Sequence, residues 1–184
     1  MNLISNLKMD IKKRENFKLS EEQQKLIDDE LVLFDKVPSY DEIIDNIFIG
    51  NYKFALDATL MIKEGITHIL NCGNGLKNFY ENDNIFKYLY IPLYDSESQK
   101  LEKYLEKTNN FIKEGSENGN KILIHCGAGM SRSVTICLMY MIMVKKYKFS
   151  DAYKIVKEKR KCAVPNSGFR KLLEQKSYEL YKEF

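Results

Sequence analysis

The sequence is poor in the residues that build crosslinked or zinc-bound scaffolds. It has four cysteines among 184 residues, and none of them belongs to a close Cys-x-x-Cys pair. Their positions are Cys72, Cys126, Cys137 and Cys162. This spacing argues against a zinc site, and four cysteines in a chain of this length are too few for a disulfide scaffold. We therefore expect free thiols, one of which is a candidate for reactivity.

Long hydrophobic runs are also missing. The longest nearly apolar stretch, residues 134–144, is shorter than the roughly 20 residues that span a bilayer. The first residues contain neither a basic segment followed by an apolar run nor a glycine at position 2, so they predict neither a secretory signal nor myristoylation. We expect no membrane span and a cytoplasmic location, with the nucleus as an additional one.

The composition predicts one folded domain with an appendage. Hydrophobic residues make up 44% of the chain and charged residues 30%, which excludes general disorder. Residues 1–36 contain two charged helical patterns and are expected to form an N-terminal helical extension. One helical pattern has an apolar stripe, which favours docking on the parent domain, on a partner or on a second copy. The remaining residues, 37–184, are expected to form the single domain.

The net charge of +3 is unevenly distributed. Residues 145–184 carry 12 basic and 5 acidic side chains, which leaves this segment at +7. Such an excess can attract an anionic partner, but lysines on helices more often form a solvated surface. We favour the solvated surface and expect no nucleic-acid partner.

From residue 37 onward, short apolar strands alternate with amphipathic helices. Strands are predicted at 47–49, 66–70, 88–93 and 121–125. Helices are predicted at 51–65, 101–115 and 131–147 and on either side of Pro165. This alternation predicts an α/β fold, with a mostly parallel central sheet that helices cover on both faces.

The most informative segment is ILIHCGAGMSRS, residues 122–133. A predicted strand leads to Cys126 and then to Gly127 and Gly129, and a buried helix begins near Arg132. The glycines allow successive backbone N–H groups to turn inward and bind an anion, and the helix N-terminus adds positive charge at the same point. Such surroundings lower the pKa of a cysteine to about 3.5–7.5, so we expect Cys126 to be a thiolate at neutral pH.

Arg132 is the second chemical group of this segment. The chain has 25 lysines and only four arginines, so we interpret Arg132 as functional rather than as one more basic surface residue. Its planar guanidinium can bind two oxygens of one phosphate. The Cys-x5-Arg spacing alone arises by chance in about one such chain in ten. The strand, the glycines, Ser133 and the apolar helix around it make the pattern specific.

The segment HCGAGMSRS, residues 125–133, resembles the HCxxGxSRS loop of dual-specificity phosphatases in the protein tyrosine phosphatase superfamily. The segments Asn46–Asn51, Ile69–Cys72 and Pro165–Phe169 are similar to two sheet strands and to the late PNxGF signature of that family. The resemblance covers about residues 37–181. It departs from the family pattern at Lys161–Val164, which we expect to affect packing more than chemistry. We expect a small, atypical member with its catalytic domain at 37–184.

The resemblance implies hydrolysis of phosphotyrosine, phosphoserine and phosphothreonine in proteins through a phosphocysteine intermediate. In this interpretation Cys126 is the nucleophile and Arg132 holds the phosphate. Asp95 is the general acid, and Ser133 donates to the departing thiolate. The expected phosphate-binding residues are Gly127, Ala128, Gly129, Met130, Ser131 and Arg132. The expected supporting residues are His125, which we interpret as buried and hydrogen-bonded, Asn166 and Arg160. No metal or other cofactor is needed.

Two assignments within the site have alternatives. Glu97 is the nearest rival to Asp95 as the general acid. Cys72, at the end of a predicted strand, is either a small core thiol or the partner of Cys126 in a protective disulfide. We favour Asp95 and the core thiol.

The function has alternatives as well. One is a phosphopeptide-binding module with weak catalysis, and another is a phosphatase for a non-protein phosphate ester. Lipid and RNA phosphatases of the superfamily tend to carry Lys or Asn in the loop, whereas Gly127, Ala128 and Met130 are uncharged. The domain is also short enough to predict a shallow cleft. We therefore favour phosphoprotein substrates.

Overall fold

The computed structural model describes residues 39–182, together with residues 18, 20 and 21. Apart from those three positions, the predicted N-terminal extension at residues 1–36 lies outside the described residues. Within the described part, no helix has both the length and the apolar character that a membrane span requires.

Five strands of the described chain form one sheet in the order β1-β2-β5-β3-β4. They are β1 (Tyr40–Ile44), β2 (Ile47–Gly50), β3 (His68–Gly73), β4 (Lys87–Leu93) and β5 (Ile122–His125). The β1–β2 pair is antiparallel and the other pairs are parallel, which confirms the predicted mostly parallel sheet. The sequence analysis missed β1, because this partly exposed edge strand carries Asp41 and Glu42 and forms no apolar run.

The described residues also form six helices. They are α1 (Tyr52–Leu56), α2 (Ala58–Lys63), α3 (Glu102–Ser116), α4 (Arg132–Met143), α5 (Phe149–Lys159) and α6 (Ser167–Tyr181). The prediction of a single helix over residues 51–65 is wrong, because the helix is interrupted at Asp57 and a second helix begins there. The Asp57 carboxylate accepts a hydrogen bond of 2.8 Å from the Leu60 N–H and caps α2. Asn51 caps α1 in the same way, through the Phe54 N–H at 3.0 Å.

Apolar side chains fill the space on both faces of the sheet. One cluster packs Leu70 and Ile124 of the sheet against α3, α4, α5 and α6. The other packs Ile69 and Leu123 against α1, α2 and the segment 80–86. Neighbouring strand residues belong to different clusters because successive side chains of a strand point to opposite faces. Helices therefore cover both faces, as the sequence predicts, and α4 is the buried core helix.

The parallel strands bring the candidate residues to one edge of the sheet. Cys126 directly follows β5, and Asp95 follows the last residue of β4 by two positions. In open α/β sheets, ligands bind outside the carboxyl ends of the strands. The fold thus places both residues at the edge where a ligand site is expected.

Candidate active site

Residues 127–131 form a loop between β5 and α4 whose carbonyl groups are all bound from outside. Each of the five carbonyl oxygens accepts a hydrogen bond from a residue beyond the loop. The pairs are Tyr52 N–H to Gly127 (2.8 Å), Arg160 Nη2 to Ala128 (3.4 Å), Arg160 Nε to Gly129 (2.7 Å), Val164 N–H to Met130 (2.8 Å) and Thr135 N–H to Ser131 (2.8 Å). The backbone of the loop is therefore fixed in one orientation.

The backbone N–H groups of the same five residues form no hydrogen bond with the described part of the chain. Because their carbonyls are tied outward, these N–H groups face the space inside the loop. Successive N–H groups in such a concave arrangement bind anions, and the N-terminus of α4 adds partial positive charge. The loop is built to hold a small oxyanion.

The shape of the loop depends on Gly129. Its φ angle is +66°, in the left-handed region that favours glycine. A Cβ atom at this position would lie 2.5 Å from the Gly50 carbonyl oxygen and 2.8 Å from Arg160 Nη2. The sequence analysis assigned the same importance to Gly127, but a Cβ atom there would make an ordinary contact of 3.5 Å with Arg132 Nη2. Of the two loop glycines, the backbone conformation and the lack of space for a Cβ atom therefore require glycine only at position 129.

Cys126 lies at the base of the loop and is 1% exposed. Its Sγ is 3.4 Å from the hydroxyl oxygen of Ser133, which is fully buried in the first turn of α4. The Arg132 guanidinium lies next to Gly127, the residue after the cysteine. The structure therefore brings the sulfur, the guanidinium and the hydroxyl together, as the sequence predicts.

Arg132 is anchored at one nitrogen and unpaired at another. Its Nη1 donates to the Leu93 carbonyl oxygen, at the end of β4, over 3.2 Å. Its Nε is buried and has no hydrogen-bond partner among the described residues, since the nearby Asp95 Oδ2 is 3.9 Å away. A buried donor without a partner is costly, so a ligand that accepts this hydrogen bond is stabilised at the site.

Asp95 is held over the loop by two donors on the same oxygen. Its Oδ1 accepts hydrogen bonds from Ser131 Oγ at 2.7 Å and from Asn166 Nδ2 at 2.8 Å. The Asn166 backbone N–H also donates to Ser131 Oγ at 3.1 Å. The other oxygen, Oδ2, forms no hydrogen bond with the described residues, and the side chain is 40% exposed. Oδ1 is therefore anchored, whereas Oδ2 has Arg132 Nε at 3.9 Å as its charged neighbour.

Glu97, the rival acid, is directed away from the loop. Its carboxylate accepts a hydrogen bond from the Ser167 hydroxyl at the start of α6. A Cβ atom at Gly168 would lie 2.1 Å from the Glu97 carbonyl oxygen, so the backbone at Glu97 packs directly on α6. Of the two carboxylates, Asp95 is therefore the one hydrogen-bonded to the loop.

Comparison with known proteins identifies the family. Residues 47–178, more than half of the chain, match the family model described as dual specificity phosphatase, catalytic domain. The chain belongs to the dual specificity phosphatase family. It is therefore a cysteine-dependent protein phosphatase, as the sequence predicts, and the phosphocysteine mechanism is general for this family.

Individual relatives agree with this assignment. The chain is 38% identical over 134 residues to human dual specificity protein phosphatase 22, covering 73% of this chain and 71% of the relative. It is 41% identical over 133 residues to the protein of the same name from Xenopus tropicalis, covering 72% of this chain and 62% of the relative. A mouse dual specificity phosphatase complexed with zinc tungstate superimposes with a TM-score of 0.72 at 26% identity, over 80% of this chain and 92% of that one.

Arg160 holds the loop of residues 127–131 through two of its outward-facing carbonyl groups. Its side chain is fully buried and donates to the Ala128 and Gly129 carbonyls described above. Its Nη1 also forms an ion pair of 2.5 Å with Asp41 Oδ2 on β1. A buried guanidinium requires such a partner, because an unpaired buried charge is strongly destabilising. The sequence analysis missed Asp41, which lies 119 residues before Arg160 on a strand that it did not predict.

His125 is packed rather than catalytic. The imidazole is 1% exposed and stacks on Tyr52, with 6.2 Å between the ring centroids. Burial lowers the pKa of His125 to about 4, so the ring is neutral at physiological pH. A hydrogen bond with the Cys126 backbone acts in the opposite direction to burial on this pKa, whereas Nδ1 has no hydrogen-bond partner among the described residues. His125 is therefore buried and contacts the base of the loop.

Cys72 is a buried thiol near Cys126. In the parallel β3–β5 pair, Asn71 is opposite His125, and Cys72 and Cys126 each directly follow one of these two residues. Both thiols are free. Burial raises the pKa of Cys72 well above its ordinary value, and the neighbouring Cys126 acts in the same direction. A buried, protonated thiol agrees with the favoured interpretation as a core residue.

Several groups that hold the site act through the backbone. The Leu93 carbonyl anchors Arg132, and the N–H groups of Tyr52 and Val164 hold the loop. The sequence analysis missed all three, because no side-chain pattern reveals a backbone contact. Val164 belongs to the segment that departs from the family pattern, and its N–H makes the contact whichever side chain the residue carries.

Proposed function

We propose that this phosphatase uses Cys126 as the nucleophile against phosphotyrosine, phosphoserine and phosphothreonine in proteins. The observation that carries the proposal is the set of N–H groups at residues 127–131 around a buried cysteine. Neither these groups nor the adjacent Nε of Arg132 form a hydrogen bond with the described part of the chain. Tungstate in the mouse relative is a tetrahedral oxyanion like phosphate, which supports an oxyanion as the ligand of this fold.

In the first step, Cys126 Sγ attacks phosphorus in line with the leaving oxygen. The S–P bond forms as the P–O bond to the substrate side chain breaks. The loop N–H groups and the Arg132 guanidinium hold the three other oxygens of the phosphoryl group, where negative charge is concentrated. Asp95 Oδ2 delivers a proton to the leaving oxygen, which departs as a hydroxyl group.

In the second step, water attacks the phosphocysteine. Asp95, now a carboxylate, accepts a proton from the water as the new P–O bond forms and the S–P bond breaks. The Ser133 hydroxyl, 3.4 Å from the sulfur, donates a hydrogen bond to the departing thiolate. Ser131 and Asn166 hold Oδ1 of Asp95 in both steps, so the acid and the base occupy one position.

An Asp95→Asn variant tests the assignment of the acid. We expect kcat for phosphopeptides to fall by about 10²–10⁴-fold, because the leaving hydroxyl no longer receives a proton. The loss should be smaller for aryl phosphates whose leaving group is already a stable anion. Steady-state kinetics on a series of aryl phosphates measures this dependence on the leaving group.

Glu97→Gln is the matched control for Asp95→Asn, because Glu97 is on the same loop but binds Ser167. It should retain nearly full kcat on all of these substrates. If instead Glu97→Gln loses activity and Asp95→Asn keeps it, the two carboxylates have been assigned the wrong way round.

The exposure of the site supports the proposal that it accepts phosphorylated side chains of different length. The Asp95 side chain is 40% exposed, so the proposed acid lies at the protein surface and not at the bottom of a deep channel. A short phosphoserine side chain and a long phosphotyrosine side chain can both approach such a site. A comparison of matched phosphoserine, phosphothreonine and phosphotyrosine peptides tests this, and hydrolysis of only one of them would contradict it.

The basic C-terminal segment supports a protein substrate rather than a nucleic acid. Arg160 is buried, and three other cations are paired with carboxylates: Lys145 with Asp45, Arg170 with Glu174 and Lys176 with Glu179. Glu174 and Glu179 are already counted in the +7, but Asp45 and Asp41, the partner of Arg160, lie outside the segment and offset two of its positive charges. The remaining excess agrees with a solvated surface. An assay of binding to duplex DNA and single-stranded RNA at low salt tests the absence of nucleic-acid binding.

Two further assignments complete the proposal. Residues 37–184 form the catalytic domain, and residues 1–36 dock on a partner or on a second copy, which size-exclusion chromatography of the full chain tests. The protein works in the cytoplasm, with the nucleus as an additional location, because a cysteine nucleophile must stay reduced. Microscopy of the tagged protein tests the location.

A further inference from the structure

We propose that a cationic cleft beside Asp95 binds a second anionic group of the substrate, a carboxylate or a phosphate close in sequence to the phosphorylated residue. The cleft has a volume of about 560 Å³. It is lined by Tyr94, Ser96, Ser98, Gln99, Lys100 and Lys103. This inference rests on the function proposed above and narrows its substrate class to phosphoproteins with acidic or multiply phosphorylated sites.

The lining of the cleft has two ammonium groups and no carboxylate. Neither Lys100 nor Lys103 forms an ion pair with any residue that the structure describes. Lys103 Nζ lies 4.8 Å from the centroid of the Tyr104 ring, a contact that positions the ammonium and leaves it charged. Two such cations on one concave surface create a positive potential that attracts an anion.

The acidic side chains of this region face other partners. Asp95 is bound by Ser131 and Asn166, and Glu97 is bound by Ser167. A neighbouring cavity of about 320 Å³ shares Ser98, Gln99 and Lys100 with the cleft and is also lined by Glu97 and Glu102. Neither carboxylate forms an ion pair with a cleft lysine among the described residues, and Lys103 lines the cleft but not this cavity. The cleft therefore keeps a net positive charge.

Gln99 holds the residues that line the cleft in place through three hydrogen bonds. Its Oε1 accepts from the Tyr94 N–H at 3.0 Å, and its Nε2 donates to the Lys100 carbonyl at 2.7 Å. The Gln99 N–H donates to the Ser96 carbonyl at 3.1 Å. A preformed site binds without the cost of ordering a loop.

The cleft is within reach of a substrate bound at Cys126. Tyr94 and Ser96 flank Asp95, so their Cα atoms lie about 3.8 Å from that of the proposed acid. An extended peptide advances about 3.3–3.6 Å per residue, so the residues that flank the phosphorylated one are the ones placed to meet a cleft that begins beside the proposed acid. The Tyr94 side chain, 62% exposed, offers an apolar surface along this path.

Kinetics on three matched phosphotyrosine peptides test the inference. The peptides carry glutamine, glutamate or phosphoserine at the positions flanking the phosphotyrosine. At low ionic strength we expect kcat/KM to be about 3- to 10-fold higher for the two anionic peptides than for the glutamine peptide, mainly through KM. A gain for the phosphoserine peptide alone would assign the cleft to a second phosphate, and a gain for both would assign it to either anion.

Substitutions connect this preference to the cleft. The double variant Lys100→Ala/Lys103→Ala should lose the preference. Lys113→Ala, which removes an exposed lysine of α3 outside the cleft lining, should keep it. Equal kcat/KM for the three peptides with the wild-type enzyme, or a preference that persists in the double variant, would overturn the inference.

A small aryl phosphate separates failure of this inference from failure of the proposed function. A wild-type enzyme that turns over the aryl phosphate but shows no preference among the peptides contradicts the cleft alone. An enzyme that hydrolyses neither the aryl phosphate nor any peptide contradicts the proposed function and the cleft with it.

Discussion

Replacing Cys126 by serine should reduce turnover of aryl phosphates and phosphopeptides by at least about 10⁴-fold, as expected when an enzyme loses its nucleophile. The serine hydroxyl is about the size of the thiol but remains protonated at neutral pH, so it cannot attack phosphorus in the same way. The loop N–H groups and Arg132 are unchanged in this variant. Binding of a phosphotyrosine peptide, measured by calorimetry, should therefore persist while hydrolysis is lost.

Cys162→Ser is the matched control for this experiment. Cys162 is a partly exposed free thiol outside residues 126–133, so its replacement should leave kcat near the wild-type value. Circular dichroism shows whether each variant is folded. A folded Cys126→Ser variant with wild-type turnover would refute the assignment of the nucleophile.

Replacing Arg132 by lysine should reduce kcat by about 10²–10³-fold, although the charge is retained. Lysine cannot reproduce the present geometry, in which Nη1 binds the Leu93 carbonyl while Nε remains unpaired. Its ammonium is a point charge and cannot hold two phosphoryl oxygens with parallel N–H groups. We also expect weaker inhibition by tungstate, which measures the loss of oxyanion binding without turnover.

Arg170→Lys is the matched control for Arg132→Lys. Arg170 is an exposed arginine of α6 that pairs with Glu174 at 3.0 Å, and exposed ion pairs contribute little to stability. This variant should match the wild-type enzyme in kcat and in tungstate inhibition. If Arg132→Lys did so as well, charge alone would suffice at position 132 and the bidentate interpretation would be wrong.

The chemistry of the loop could be predicted because it is contiguous in sequence. Residues 122–133 contain a strand, a cysteine, the glycine at 129 with its positive φ angle and an arginine at the start of a helix, and each has a local physical reason. The parallel sheet could be predicted from alternating strands and helices. Asp95 was identified only through the family resemblance, because nothing local distinguishes it from Glu97.

The remaining parts of the site depend on contacts between distant segments. The Asp41–Arg160 pair joins an unpredicted edge strand to the end of α5. The Leu93 carbonyl binds Arg132 across 39 residues of sequence, and any residue at position 93 presents a carbonyl. Both contacts join segments that meet only in the folded chain, so hydrophobic periodicity does not reveal them.

Outside the site, the helix break at Asp57 depends on one carboxylate that caps a second helix within a continuous helical pattern.

The most direct test of the account is to locate the phosphoryl group during turnover. Asp95→Asn is suited to this test, because it also lacks the base that activates water for the second step. After reaction with an activated aryl phosphate and rapid acid quenching, mass spectrometry of the peptides should find phosphate on Cys126. Phosphate on another residue, or its absence from Cys126 during continuing turnover, would contradict the phosphocysteine mechanism at this site.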